Sequence, residues 1–294
     1  MELISVVIIT YKRPINILSR AVESVLKQTY SNLELIIVND APGETKLRKE
    51  IFEYLFKIND SRIKYIVHEK NKGANAARNT GLNNALGKYI AYLDDDDEWL
   101  PEKLLVQIKE FEKNKKLALV YSGFYVKNNR KEKIKKEVFI PRKGYLRTLI
   151  EDNYIGSTSF PLLLTEAVRE IGGFDINQKS CQEYELWIRI AKKYDIIGIK
   201  DIVGIYHFSE DSTFKGNYEA YFTGDCAIVE KHKNLFEKYP IEYSNHFLRM
   251  AIYMLRKRQL KKMLYFKKKA FEVCWYNINN ILLIYFIRKI LKRV

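Results

Sequence analysis

"YIAYLDDDDEWLP", residues 89–101, decides how this chain is read. Its first half is an apolar run of strand length. Its second half sets Asp94, Asp95, Asp96 and Asp97 side by side, with Glu98 directly after them. Adjacent carboxylates repel one another at neutral pH, so a buried strand has no structural reason to end in such a cluster. Two readings compete. One is a solvated acidic turn, the ordinary fate of a charge run. The other is a site that holds a divalent cation.

The sequence upstream supplies the context. "SVVIITY" (5–11) and "LELIIVND" (33–40) are β-branched apolar runs of the kind buried on both faces of a sheet. "IKYIVHE" (63–69) and "KYIAYLD" (88–94) predict two more strands. Between the first two, Leu18, Ala21, Val22 and Val25 recur at helical spacing after Pro14, which suits a helix start. "ANAARNTGLNNAL" (74–86) is also helix-compatible. The resulting βαβαβαβ order predicts an α/β protein with a mostly parallel, Rossmann-like sheet and helices on both faces. Ligands of such sheets sit beyond the carboxyl ends of the strands. That rule places Thr10, Asp40 and residues 94–97 on one rim, and the location favours the cation over the turn.

At 294 residues the chain is long enough for one large domain plus an appendage. The widely spaced Cys181, Cys226 and Cys274 argue against a disulfide framework or a zinc site and fit a reducing cytoplasm. Met1 leads straight into the first strand without the basic region and cleavage site of a signal peptide. No apolar run is long enough to span a bilayer; "ILLIYFI" (281–287) is too short. After residues 103–115 (helix), 117–126 (strand) and a basic excursion, 127–138, read as a solvated hairpin or loop, the texture turns helical from about 216. Residues 216–294 carry 16 Lys+Arg against 6 Asp+Glu, which accounts for +10 of the total +15. Such an asymmetry points to an anionic partner, nucleic acid or a membrane surface.

Three constellations carry chemistry. Asp94-x-Asp96 offers two hard oxygen ligands at i and i+2, suited to Mg²⁺ or Mn²⁺ shared with a substrate phosphate. "NKGANAARNTGL" (71–82) has Gly73 for a tight turn into a helix and Arg78 one turn in, a combination that favours anionic groups. It matches neither a dinucleotide fingerprint nor a P-loop. "GGFD" (172–175) precedes Glu183 and Glu185, and the amphipathic helix that follows is predicted to begin near Leu186. Glu183 is either a helix-start residue favoured by the macrodipole or a general base aimed at the rim.

Taken together, "SVVIITYKRP", "VND", "NKGANAARNTGL", "YLDDDDEWLP", "GGFD" and "QEYELWIRIA" occur in an order and spacing that resembles a family 2 glycosyltransferase of the GT-A fold, over about residues 1–210. The resemblance implies an inverting transferase that moves a sugar from a nucleotide-diphosphate sugar, usually a UDP-sugar, to an acceptor hydroxyl, with Mn²⁺ or Mg²⁺. It implies a catalytic domain over 1–215, with a nucleotide-sugar half (about 1–100) and an acceptor half (about 101–215), and a basic helical region over 216–294. By position, Thr10, Tyr11, Arg13, Asp40, Lys72, Gly73 and Arg78 would hold the nucleoside and phosphates. Asp94 and Asp95 would contact ribose or metal, Asp96 would be the principal metal ligand, and Glu183 would be the base. Two departures stand out. The family most often has Asp at the base position, so Glu185 is the alternative to Glu183. "YHFSEDS" (206–212) matches the family's late histidine segment only loosely, and His207 either completes the metal shell, touches the diphosphate or is an ordinary loop residue.

The expected setting is surface polysaccharide or glycan assembly in the cytoplasm, on a glycan or lipid-linked acceptor. The tail "WYNINNILLIYFIRKILKRV" (275–294) is expected to meet the anionic inner face of the membrane. Two rivals are weighed. A sugar-nucleotide nucleotidyltransferase would want a Gly-rich loop after the first strand, where "TYKRP" stands. A nucleic-acid-binding protein would want a recognisable binding module, and none is found.

Overall fold

Four apolar runs make the parallel part of a sheet in a computed structural model of the chain, which describes residues 1–41, 43, 45–128, 134–137, 139–142, 144–208, 218–277 and 279. They are β1 (Ile4–Thr10), β2 (Leu33–Asn39), β3 (Ile63–Val67) and β4 (Tyr89–Asp94). β1 lies between β2 and β4, with β3 outside β2, all parallel. The registers Thr10↔Asn39 and Ile9↔Asp94 bring three carboxyl ends level. The connections are α1 (Ile15–Leu26), α2 (Thr45–Ile58) and α3 (Ala74–Asn84). α1 follows Pro14, whose ring holds φ at −58°. Its Leu18, Val22 and Val25 are fully buried in the core, each contributing about 1.5–3 kcal/mol relative to exposure. α3 packs directly on β1: a methyl group at Gly81 would collide with Val7, so the glycine sets how close helix and strand come.

Beyond β4 the sheet is mixed rather than parallel. β5 (Glu98–Trp99), β6 (Leu117–Asn128), β7 (Ile134–Glu137), β8 (Leu162–Leu164) and β9 (Asp195–Phe208) complete nine strands among the described residues. Their order is β3-β2-β1-β4-β8-β6-β9-β5, with β7 on β6. β8 runs antiparallel to both β4 and β6, and it joins the parallel half to the rest. The basic excursion is a hairpin arm, β7 pairing antiparallel with β6; its residues 129–133 and 138 lie outside the described residues. α4 (Lys103–Lys113), α6 (Thr165–Glu170) and α7 (Gln182–Ala191) complete this part. α7 begins at Gln182, four residues before the predicted start, because Cys181 turns left-handed at its N-cap (φ 56°) and admits Glu183 and Glu185 to the first turn. Carboxylates there are favoured by the helix dipole.

The chain divides into two compact units, residues 1–140 with 155–224 and residues 141–154 with 225–294. The first holds the sheet. The second is helical, built from α5 (Tyr145–Glu151), the end of α8 (Tyr218–Lys231), α9 (Lys233–Glu237), α10 (Pro240–Arg256) and α11 (Leu260–Val273). Phe247 of α10 stacks on Phe266 of α11. Glu151 of α5 accepts a hydrogen bond from Asn245, and buried Asp225 pairs with buried His246 at 2.8 Å. Among the described residues no helix is long and apolar enough to cross a membrane. The run 281–287 and the rest of 280–294 lie outside the described residues.

Candidate active site

The carboxyl ends of β1 and β4 create a cluster of charge that the surrounding loops neutralise only in part. Asp94 ends β4, and one of its oxygens accepts from Arg78 Nη2 at 2.9 Å and from Thr158 Oγ1 at 3.2 Å. The other accepts from Ser157 Oγ at 3.2 Å. Arg13, in the turn after β1, clamps the next two acids, Nε on Asp95 at 2.8 Å and Nη2 on Asp96 at 3.0 Å. Arg20 of α1 donates to the Asp96 carbonyl. Asp97 is buried and accepts from Ser159 Oγ at 2.6 Å and from the His207 N–H at 3.3 Å. Burial pushes Asp95 up to about 6 against the pull of Arg13. Burial also raises Asp96, helped by Asp94 and opposed by Arg13, and raises Asp97 well above the usual carboxylate range.

α3 delivers the facing cation. Asp40, one residue past β2, accepts the backbone N–H groups of Lys72 and Gly73, both at 2.8 Å, and its Oδ1 lies 2.7 Å from His68 Nδ1. Gly73 has φ +87°, a conformation that a side chain would strain. Asp40 therefore fixes the entry into α3, and the Lys72 side chain stands exposed. Thr10 is buried at the end of β1, where its carbonyl takes the Asp40 N–H, while Tyr11 is exposed on the rim. Arg78 is buried over the Phe174 ring, 5.3 Å from its centroid. Its Nε and Nη1 are buried with no hydrogen-bond partner among the described residues. A buried guanidinium with two such donors fits an anion with several oxygens.

The two glutamates of α7 part company. Glu185 is fully buried and accepts Arg189 Nε at 2.8 and 2.9 Å and Nη2 at 2.7 Å. Arg189 goes on to the carbonyls of Ile171 and Gly173, so this pair fastens α7 to the Gly-Gly turn. Half-buried Glu183 has its pKa raised first by burial; Arg78 draws it down and Asp94 pushes it up. Arg78 and Asp94 thus act on Glu183, while Glu185 is engaged by Arg189.

Other residues of the cluster stand in no motif of the sequence. Ser157, Thr158 and Ser159 grip Asp94 and Asp97, and a run of three hydroxyls is the only signal they leave. Tyr206 near the end of β9 is pushed up to about 12, by burial and then by Asp97, Asp96, Asp94 and Glu183. His207 keeps its Nδ1 buried with no hydrogen-bond partner among the described residues. It sits in β9, where the β5–β9 pairing sets its Nε2 against Glu98 at 3.0 Å.

Among the described residues no three His, Cys, Asp or Glu side chains converge as ligands of a metal ion. The aspartates nevertheless fit a hard dication in kind. They are carboxylate oxygens, and the burial that raises Asp95, Asp96 and Asp97 is a cost that a bound cation would offset. Asp96, with its side chain 39% exposed, is the most accessible of the carboxylates paired with these arginines.

Residues 5–172 match the family described as glycosyl transferase family 2. The chain is 32% identical over 219 residues to an Escherichia coli UDP-Glc:alpha-D-GlcNAc-diphosphoundecaprenol beta-1,3-glucosyltransferase, WfgD, covering 74% of this chain and 81% of that protein. It is 35% identical over 195 residues to WfaP, an Escherichia coli enzyme of the same description, covering 66% of this chain and 72% of that one. Its fold is similar to that of S. aureus TarS residues 1–349, solved in complex with UDP-GlcNAc, with a TM-score of 0.68 and 16% identity over 93% of this chain and 81% of that one.

Proposed function

Since this chain belongs to glycosyl transferase family 2 and has the GT-A fold, we propose that the β1–β4 rim holds a nucleotide-diphosphate sugar and that Glu183 activates the acceptor. The observation that carries this reading is Arg78, buried beside Asp94 with two donors directed to no protein acceptor among the described residues. Nε and Nη1 would take diphosphate oxygens and stabilise the charge that builds on the departing nucleoside diphosphate. Asp96, with Asp94, would hold Mn²⁺ or Mg²⁺. Bound there, the ion would supply electrostatic stabilisation of the same leaving group. Arg13 would release Asp96 and turn to the phosphates. Thr10 and exposed Tyr11 would line the nucleoside end, with Asp40, Lys72 and Gly73 shaping the loop beside it, and Asp95 would contact ribose or metal.

Glu183 would accept the proton of an acceptor hydroxyl as that oxygen attacks the anomeric carbon opposite the leaving group. Its raised pKa suits a base stronger than an ordinary carboxylate. One displacement inverts the anomeric centre. The acceptor we favour is a sugar carried on a lipid diphosphate in surface polysaccharide assembly, the class named for WfgD and WfaP, with a UDP-sugar as donor. The test is a panel of nucleotide sugars with Mn²⁺ and a synthetic lipid-diphosphate sugar, with the product anomer read by NMR. An inverted product from one donor supports the reading; a retained anomer excludes Glu183 as base in a single displacement.

A further inference from the structure

α11 turns an apolar stripe outward where a surface helix is ordinarily polar. Met263, Phe266 and Ala270 form its buried side. Leu260, Leu264 and Phe271 lie on a different side of the helix, 56%, 55% and 52% exposed, and Trp275 just beyond the helix is 68% exposed. At 100° per residue the three helical positions fall within about 40° of one another, so they make one stripe. Lys261 and Lys268 border it, both exposed. From Arg256 to Lys269 the chain carries eight Lys and Arg and no Asp or Glu. The acidic group of this helix, Glu272, is paired with Lys268 at 3.7 Å and Lys269 at 3.3 Å.

We infer that this face of α11 docks on an anionic lipid bilayer. Leu260 and Leu264 offer a phosphate no hydrogen bond and a nucleobase no ring to stack on, but with Phe271 they partition into the acyl boundary. The lysine stems extend the apolar surface while their ammonium groups reach the headgroups. The charge complements an anionic leaflet, and the aromatic ring of Trp275 suits the interface. This surface shares no residue with the donor site, so its test does not depend on the transferase reading.

The full chain is floated with vesicles of phosphatidylcholine alone or mixed with phosphatidylglycerol. Binding is expected only to the mixed vesicles and should weaken as salt is raised. Lys261→Gln with Lys268→Gln should lower the partition roughly fivefold per charge. Leu264→Asn with Phe271→Asn should abolish it at unchanged lipid charge. All four side chains are exposed, so thermal unfolding should match the parent, and the lysine pair decides alone if the apolar pair misfolds. Equal binding to neutral vesicles, binding to neither, or indifference to both pairs of substitutions would overturn the assignment. So would RNA that displaces the vesicles at equal charge, which would make this a nucleic-acid surface.

Discussion

Glu183→Gln and Glu185→Gln should fail in opposite ways, although the two residues are two positions apart. Glu185 is fully buried and meets Arg189 through three contacts of 2.7–2.9 Å. A glutamine there can accept through one oxygen only, and it turns an amide N–H₂ toward the guanidinium. Breaking a buried pair from one side costs about 3–5 kcal/mol. The Arg189 side chain keeps 16% of its exposure, which places the cost near the lower figure. At about 2–4 °C per kcal/mol for a unit of this size, a loss near 3 kcal/mol lowers the Tm by about 6–12 °C. Arg189 itself still holds the Ile171 and Gly173 carbonyls, so surviving enzyme should turn over nearly normally. Glu183→Gln should keep the Tm and donor binding and lose transfer by about 10²-fold or more. Thermal unfolding by near-UV circular dichroism and a donor-release assay read both effects. A stable, inactive Glu185→Gln beside an active Glu183→Gln would move the base by two residues and overturn the assignment of Glu183.

Arg13→Met removes the cation that occupies Asp95 and Asp96, so binding of Mn²⁺ alone, read by electron paramagnetic resonance, should tighten at least severalfold; unchanged or weaker binding would mean that Arg13 does not compete for these oxygens. Asp40→Ala leaves the Lys72 and Gly73 N–H groups without their acceptor at a cost of about 1–3 kcal/mol; the loop before α3 should exchange its amides faster and the donor KM should rise, and protection equal to the parent would contradict this. Glu183 works as a base only when deprotonated, so kcat/KM should fall as pH drops through a value above the ordinary Glu range, and that acid limb should vanish in Glu183→Gln.

The parallel half of the sheet is legible in the sequence because β1, β2 and β4 are long apolar runs whose ends carry polar residues. β8 is three leucines and β5 two residues, too short to show a period, so the mixed half is not. The partner of His207 is hidden for the same reason, since the pairing of β9 with β5 sets it across more than a hundred residues of chain. The two glutamates are separable in principle. Two residues of helix rotate a side chain by about 200°, so only one of them can face a given cavity. Arg189, four residues after Glu185, is the sequence signal that Glu185 is already partnered. Ser157, Thr158 and Ser159 leave no comparable sign, because short hydroxyl runs are common in any loop.

The rim at β1 and β4 is proposed to bind a nucleoside diphosphate together with a divalent cation. Calorimetric titration of UDP into the protein, with Mn²⁺ and with chelator, tests it directly, using Asp96→Asn as the paired variant. The expected result is binding that needs Mn²⁺ and falls at least tenfold in Asp96→Asn, with the Tm unchanged. UDP binding that is indifferent both to chelation and to Asp96→Asn would contradict the claim.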